Sequence, residues 1–389
     1  MRKKQIISTS LTTLLLLIVI IVPGQAASEI EIEGKSALLM EEETGQVIYT
    51  QNEDLQLPTA SLTKIMTLLV AMEEVDNGQV SIDDEVVISQ RAQSMGGSQI
   101  WLSAGDTILL KDLIKAVLVP SANDATVALA EHVGGTKENF VHLMNLKAEE
   151  LGLEKTHFSN ATGLPNDGGG HYSTAKEVAI MARELIANFP IMLEWGNTRV
   201  AYIEVNDEQK PIWNTNQLVG HFSGLDGLKT GWTDEAEYCL VGTAEQGGRR
   251  LISVVMGAKD EAGRQEETRK LLNYGFRVFN KVHLINEGTE IEETITVKNA
   301  AKPEVVVETA TDFSAMVKRG TKDQIEQELS FSENLKAPLS KGEVVGTLTF
   351  VQNGNELGEI DLVTSRGVEE AGIIVRIFRW LRDFIISLF

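Results

Sequence analysis

The sequence predicts a mixed α/β (α+β) protein: a sheet with a helical insertion, then a small all-β domain and a C-terminal amphipathic helix. Three observations predict it. Short apolar runs at residues 36–40 and 47–50 give way at Ser61 to three-to-four spacing, and strand-like runs return from about residue 225. Beyond His283 the chain turns to Val/Thr/Glu-rich runs at 294–297, 304–307 and 343–350, separated by turn residues. The last stretch, 373–389, is dominated by Ile, Phe, Leu and Trp.

The elements follow in order. Arg2, Lys3 and Lys4 precede an apolar run from Ile6 to Val22, broken by Pro23-Gly24, with Gly24 and Ala26 placing small residues around a cut after Ala26. A basic start, apolar middle and small-residue exit make residues 1–26 a signal peptide and the mature chain an exported one; the alternative is an uncleaved anchor. The next two runs read as a hairpin with Gly45 in its turn. From Ser61 the residues Leu62, Ile65, Met66, Leu69 and Val70 keep one helical face until Asn77-Gly78, a stop signal. Helical patterns recur at 110–118, 124–132, 137–151 and 175–187, strands at 238–244 and 250–257, and a helix at 264–280. The domains expected are therefore 29–282, 283–366 as a small β domain, and 370–389 as a terminal helix.

In that last helix Arg376, Arg379, Arg382, Asp383 and Ser387 fall within an arc of about 140° at 100° per residue. Seventeen residues reach only ~25 Å, short of a ~30 Å hydrocarbon core. The helix is expected to lie in the membrane interface with its arginines near lipid phosphates. The alternative is a helix docked on the protein or on a partner.

Composition removes several function classes. Hydrophobic residues make up 43% of the chain, as in a globular protein with sizeable cores. Net charge is −21, and cleavage after Ala26 would remove three basic residues and leave −24, which disfavours nucleic acid as a partner. Cys239 is the single cysteine, so no internal disulfide forms; its apolar setting at 238–241 reads as core rather than reactive thiol. Six histidines are scattered, with no His-Glu-x-x-His run, so neither a metal nor any other cofactor is expected.

Three short motifs carry the chemistry. Ser61-Leu62-Thr63-Lys64 puts a lysine one turn after a serine on the same helix face, where an amine of lowered pKa takes the hydroxyl proton. Ser121-Ala122-Asn123 offers a proton-shuttling hydroxyl and an amide for a peptide carbonyl; alternatively Ser121 caps the following helix. Lys229-Thr230-Gly231 supplies a cation, a hydroxyl for a carboxylate, and a glycine where a substrate backbone approaches a sheet edge. Each is weak alone, and Ser173-x-x-Lys176 and Ser332-Glu333-Asn334 are decoys. Their order, with Ser121 sixty residues after Ser61 and Lys229 beyond, is the set of penicillin-binding proteins and β-lactamases.

Over roughly 29–365 the chain resembles the low-molecular-mass penicillin-binding proteins that are D-alanyl-D-alanine carboxypeptidases. The likeness extends to Pro58-Thr59-Ala60-Ser61, Phe158-Ser159-Asn160-Ala161-Thr162-Gly163-Leu164, His171-Tyr172-Ser173-Thr174-Ala175, Asn214-Thr215-Asn216 and Gly224-Leu225-Asp226-Gly227-Leu228. The resemblance implies a β-lactamase/transpeptidase-like catalytic domain and a serine peptidase acting on peptidoglycan stem peptides. It implies Ser61 as nucleophile, Lys64 as general base, and Ser121 and Lys229 as proton relays. Asn123 would align the peptide, the N–H groups of Ser61 and Trp232 would hold the oxyanion, and Thr230 with Arg264 would grip the terminal carboxylate. Arg264 rests on its place thirty-five residues after Lys229, the alternative being a solvated helix-start arginine. β-Lactams would be covalent inhibitors, and the C-terminal helix would hold the enzyme at the outer face of the cytoplasmic membrane. A β-lactamase remains an alternative, although the region around 157–160 lacks the glutamate it would need, the nearest acid being Glu154. So does a β-lactam sensor that acylates and scarcely turns over.

Overall fold

The computed structural model describes residues 30–165 and 170–386. The leader expected at 1–26 lies outside them, as does Ser387. The described chain begins with strands β1 (Ser36–Glu41) and β2 (Val47–Gln51), an antiparallel hairpin turned by Gly45 at φ +73. A 3-10 turn, Ala60–Thr63, then leads into helix α1 (Lys64–Asp76). Ser61 thus precedes the α-helix rather than opening it. Every residue from Lys64 to Met72 is buried. A single apolar face was too narrow an expectation: α1 is the axle of the helical block and is enclosed on all sides.

The insertion carries β3 (Glu85–Val87), α2 (Gln90–Gln93), β4 (Thr107–Leu109), α3 (Leu110–Leu118), α4 (Asn123–Gly134), α5 (Lys137–Glu150), α6 (Ala175–Asn188), α7 (Ile191–Gly196), β5 (Val200–Val205) and β6 (Glu208–Trp213). It is not all-helical, because β3-β4-β5-β6 form a four-stranded antiparallel sheet. Two of those strands are three residues long, too short for a period of two to show. The others bury only Ile203, Val205 and Ile212, and leave the apolar Val200, Tyr202 and Trp213 exposed, which blurs the alternation.

The chain then returns to the first sheet through β7 (Leu225–Thr233), β8 (Glu237–Gln246) and β9 (Arg249–Ala258), giving the order β2-β1-β9-β8-β7. β1 lies inside this sheet and is buried along its whole length, as a strand covered on both faces must be. Lys229-Thr230-Gly231 lies within β7, the terminal strand, rather than ahead of a strand. Helix α8 (Glu261–Val278) opens where Asp260 accepts the Gly263 N–H at 2.7 Å, and packs across β8 and β9.

From α8 the backbone turns directly into β10 (Phe279–Ile285), which pairs with β13 (Phe313–Lys318). A five-stranded sheet of order β11-β12-β16-β15-β14 follows, built from β11 (Glu290–Thr296), β12 (Glu304–Thr309), β14 (Ile325–Phe331), β15 (Val344–Gln352) and β16 (Asn355–Thr364). Its interior is apolar, with Phe313 and Phe350 stacked at 4.7 Å. Helix α9 (Ile373–Ile386) closes the described chain. Its Arg376 pairs with Glu370, and Arg379 donates to the Ala300 and Ala301 carbonyls at 2.7 and 3.2 Å. Two of the arginines expected at lipid phosphates are therefore turned onto the protein, while Ile374, Ile377 and Phe378 stand exposed. No helix among the described residues is long and apolar enough to cross a membrane.

Candidate active site

Ser61 stands on the 3-10 turn that connects the segment after β2 to α1, so Lys64 follows it by one turn. The lysine Nζ lies 2.9 Å from Ser61 Oγ, 2.9 Å from the Ser121 carbonyl, 3.2 Å from Ser121 Oγ and 2.5 Å from Asn123 Oδ1. The first two motifs thus converge on one nitrogen. Asn123 Nδ2 donates to the Gly96 carbonyl at 2.7 Å, which fixes the amide so that Oδ1 faces the lysine.

Burial pushes the Lys64 ammonium down to about 7, against the opposing pull of the Asp124 carboxylate. The neutral amine suits its surroundings. It has two N–H bonds and one lone pair, and two of its neighbours, the Ser121 carbonyl and Asn123 Oδ1, can only accept. Once both N–H groups serve them, the lone pair is left for a hydroxyl proton, and Ser61 is within reach.

Ser121 is not a helix cap. α4 is preceded by Ala122, which has no capping side chain, and Ser121 adopts φ +64. That left-handed backbone turns both its carbonyl and its hydroxyl toward Lys64. Asp124 ties down the facing loop instead: its carboxylate accepts the N–H groups of Ile100, Leu102 and Ala125.

β7 supplies the opposite wall. Lys229 is wholly buried beneath it and donates to the Thr230 carbonyl at 3.1 Å. Burial first, then the Lys64 and Arg264 charges, hold its ammonium far below the usual lysine range. Two such amines resist being charged together, so protonating one favours the neutral form of the other. Thr230 Oγ1 lies 2.6 Å from Thr215 Oγ1, which orients it.

Gly231 has a more local reason than substrate approach. A Cβ there would sit 3.2 Å from both Ser61 N and Thr59 O, so β7 and the nucleophile turn touch at this point. The register pairs Trp232 with Tyr238, and Trp232 stays 54% exposed at the mouth of the cleft.

Arg264 is buried rather than solvated. It lies over the Tyr238 ring and donates to the Gly231 carbonyl at 3.1 Å, with Glu261 at 3.3 Å. Its Nε is buried without a partner. A cleft of about 660 Å³ joins these groups, with Ser61, Ser121, Asn123, Thr230, Trp232 and Arg264 in its lining. All nine residues singled out in the sequence therefore come together, Lys64 and Lys229 just below the floor.

The decoys lie elsewhere. Ser173 bonds Thr156 at 2.6 Å while Thr174 caps α6, and Ser332 and Asn334 belong to the C-terminal sheet region. Cys239 is buried on β8 with its thiol pushed up to about 11, as a core residue. Three contributors carried no role in the sequence reading: Asp124, Thr215 and His171. Thr215 and His171 lie in segments that carry the family resemblance and Asp124 directly follows Asn123, but side-chain contacts alone give each a task.

The chain matches the family model for D-alanyl-D-alanine carboxypeptidase over residues 23–260, and that for the penicillin-binding protein 5 C-terminal domain over 279–370. It is 37% identical to the D-alanyl-D-alanine carboxypeptidase DacF of Bacillus subtilis, covering 93% of this chain and 92% of that one. Among solved structures it is similar to penicillin binding protein 5 from Haemophilus influenzae, with TM-score 0.78, 31% identity, and 88% and 99% of the two chains covered. It is also similar to penicillin-binding protein D2 from Listeria monocytogenes in its ampicillin-bound form, with TM-score 0.59, 36% identity, and 64% and 100% covered. The chain belongs to the D-alanyl-D-alanine carboxypeptidase family of serine peptidases.

Proposed function

We propose that this protein removes the terminal D-alanine from peptidoglycan stem pentapeptides through an acyl-enzyme on Ser61. The observation that carries the assignment is the amine of Lys64, which burial lowers to about 7 and which lies 2.9 Å from Ser61 Oγ. Ser61 Oγ attacks the carbonyl between the two D-alanines and its proton passes to Lys64 Nζ. The bond to the leaving nitrogen breaks as Ser121, 3.2 Å from the same Nζ, relays a proton to the departing amine. The N–H groups of Ser61 and Trp232 stabilise the oxyanion, and water then releases the acyl group and restores the hydroxyl. Asn123 aligns the peptide, and Lys229 assists the proton relay. Arg264 and Thr230, both in the lining of the cleft, receive the terminal carboxylate.

β-Lactams would acylate the same serine. The reading includes cleavage after Ala26, a catalytic part over 29–282, and a β domain over 283–366 acting as a spacer. It places the enzyme at the outer face of the cytoplasmic membrane, held by 370–389. The exposed Ile374, Ile377 and Phe378 support that last point, since a surface helix with an apolar outer face suits a lipid interface.

The test is D-alanine release from diacetyl-lysyl-D-alanyl-D-alanine by wild type and Ser61→Ala, with fluorescent-penicillin labelling of both. Steady release and labelling that both vanish in the variant support the carboxypeptidase. Labelling without release points to a sensor, and rapid hydrolysis of the penicillin points to a β-lactamase.

A further inference from the structure

His171 lies 110 residues beyond Ser61 in the chain, yet its ring is one hydroxyl away from the nucleophile turn. Ala60, immediately before Ser61, adopts φ +45, a left-handed conformation that an L-residue holds only when its surroundings enforce it. Its carbonyl accepts from Thr63 Oγ1 at 2.8 Å. The Thr63 hydroxyl has one proton, which that carbonyl takes, so its remaining contacts must donate to it. They are Thr59 Oγ1 at 2.8 Å and His171 Nε2 at 2.7 Å.

The tautomer of His171 follows from its other side. Nδ1 faces the Ser159 backbone N–H at 3.1 Å, a group that can only donate, with the Ser159 hydroxyl at 3.2 Å. Nδ1 is therefore the acceptor, and Nε2 carries the proton that goes to Thr63. The ring is edge-on to Phe158 at 5.7 Å, and burial, with His157 near, pushes it down to about 4, so it is neutral at ordinary pH. The loop that presents it is seated on the same turn: Gly163, at φ +78, has no room for a Cβ against the Ala60 carbonyl.

We infer that His171 is a positioning residue for the nucleophile, its Nε2–H holding Thr63 and through it the left-handed Ala60 turn that aims Ser61 at Lys64. The inference rests on Ser61 being the acylated residue, and names a participant outside the three motifs. Its chemistry needs a donor at the Nε2 position. The substitution His171→Gln would retain that donor; His171→Asn would retain only the acceptor toward Ser159.

The experiment compares His171→Gln, His171→Asn and Thr63→Val with wild type. It reads the acylation rate constant per active site with fluorescent penicillin, then kcat and KM for the tripeptide. His171→Asn and Thr63→Val are expected to acylate about tenfold more slowly, the loss typical of one hydrogen bond. kcat should fall with little change in KM, and His171→Gln should remain within about threefold of wild type. The Thr63→Val/His171→Asn double variant should be no slower than either single one, because both cut the same link. Equal rates for the His171→Gln and His171→Asn variants would overturn the inference. So would a smaller labelled fraction at an unchanged rate per labelled site, which signals misfolding alone. If wild type acylates but releases no D-alanine, the carboxypeptidase reading fails while the His171 comparison is still read from acylation.

Discussion

The two halves of this molecule bury different kinds of residue. From β1 to α8 the interior holds Lys64, Lys229, Arg264, Asp112, Asp124 and Glu267 among its apolar side chains. From β10 onward, the polar residues buried among those described are Thr309 and Thr364. Both regions were made by the same chain under the same rule that burying charge is costly, so the difference marks where a function is retained at the expense of stability. Within the first half the buried cations are not scattered, although buried acids such as Asp112 and Glu177 lie on other elements. Lys64, Lys229 and Arg264 converge on the cleft between α1, α4 and β7, while Glu267 has a structural task, receiving the N–H groups of Glu33 and Gly34. The second half is a sheet with an apolar inside, an acidic outside and two buried hydroxyls tied to backbone carbonyls.

The contrast is tested most severely at Lys64. Lys64→Met should lower kcat/KM for the tripeptide about 10³-fold, within the range of a lost general base, while circular dichroism shows the fold intact. A variant that stays within tenfold of wild type would make the buried amine a structural group like Glu267. Acidity tests the same point without a mutation. The group is active when neutral, and its folded value is lowered to about 7 from 10.5, so activity should be full above that pH. Below it kcat/KM should fall about tenfold per unit, reaching roughly a hundredfold loss at pH 5. A profile level from pH 8 to pH 5 would remove Lys64 from the proton path.

Arg264 should show a smaller effect of a different kind. Arg264→Gln removes a cation that binds the carboxylate in ground and transition state alike, so KM should rise roughly thirtyfold with kcat little changed. A fall in kcat at constant KM would place Arg264 in the chemistry instead. The least effect on activity belongs to the other half. Phe350→Ala removes a fully buried ring and should cost about 3–5 kcal/mol of local stability, visible as an earlier transition in calorimetry. kcat/KM should nevertheless stay within about twofold, and a larger loss would show that the β domain supports the cleft directly.

Part of this arrangement was legible in the residues. β1 and the strands on either side of Gly247-Gly248 are legible because each buries a continuous run, and α3 because its apolar residues keep helical spacing around Lys111 and Lys115. The four-stranded sheet of the insertion did not show itself, since β3 and β4 are three residues long and β4 draws its second partner, β5, from beyond α3. The start of α1 was displaced by three residues for a related reason. Ser61 sits in a 3-10 turn held by Thr63, Gly163 and Gly231, the last two reaching it from outside the segment.

By itself the sequence singled out the residues that the structure brings together at the cleft, because a serine, a lysine one turn on, a second serine and a Lys-Thr-Gly strand are constrained in type and order. It also determined that the C-terminal helix has two faces, since 100° per residue is a property of the local backbone. The tertiary structure decided the rest. The charge state of Lys64 depends on how much water is removed around it, and that is set by α4 and β7, distant in the chain. The left-handed turns at Ala60 and Ser121 are disfavoured locally and exist because packing enforces them. The tautomer of His171, and with it the direction of its hydrogen bond to Thr63, follows from one backbone N–H at Ser159 that no reading of spacing can place.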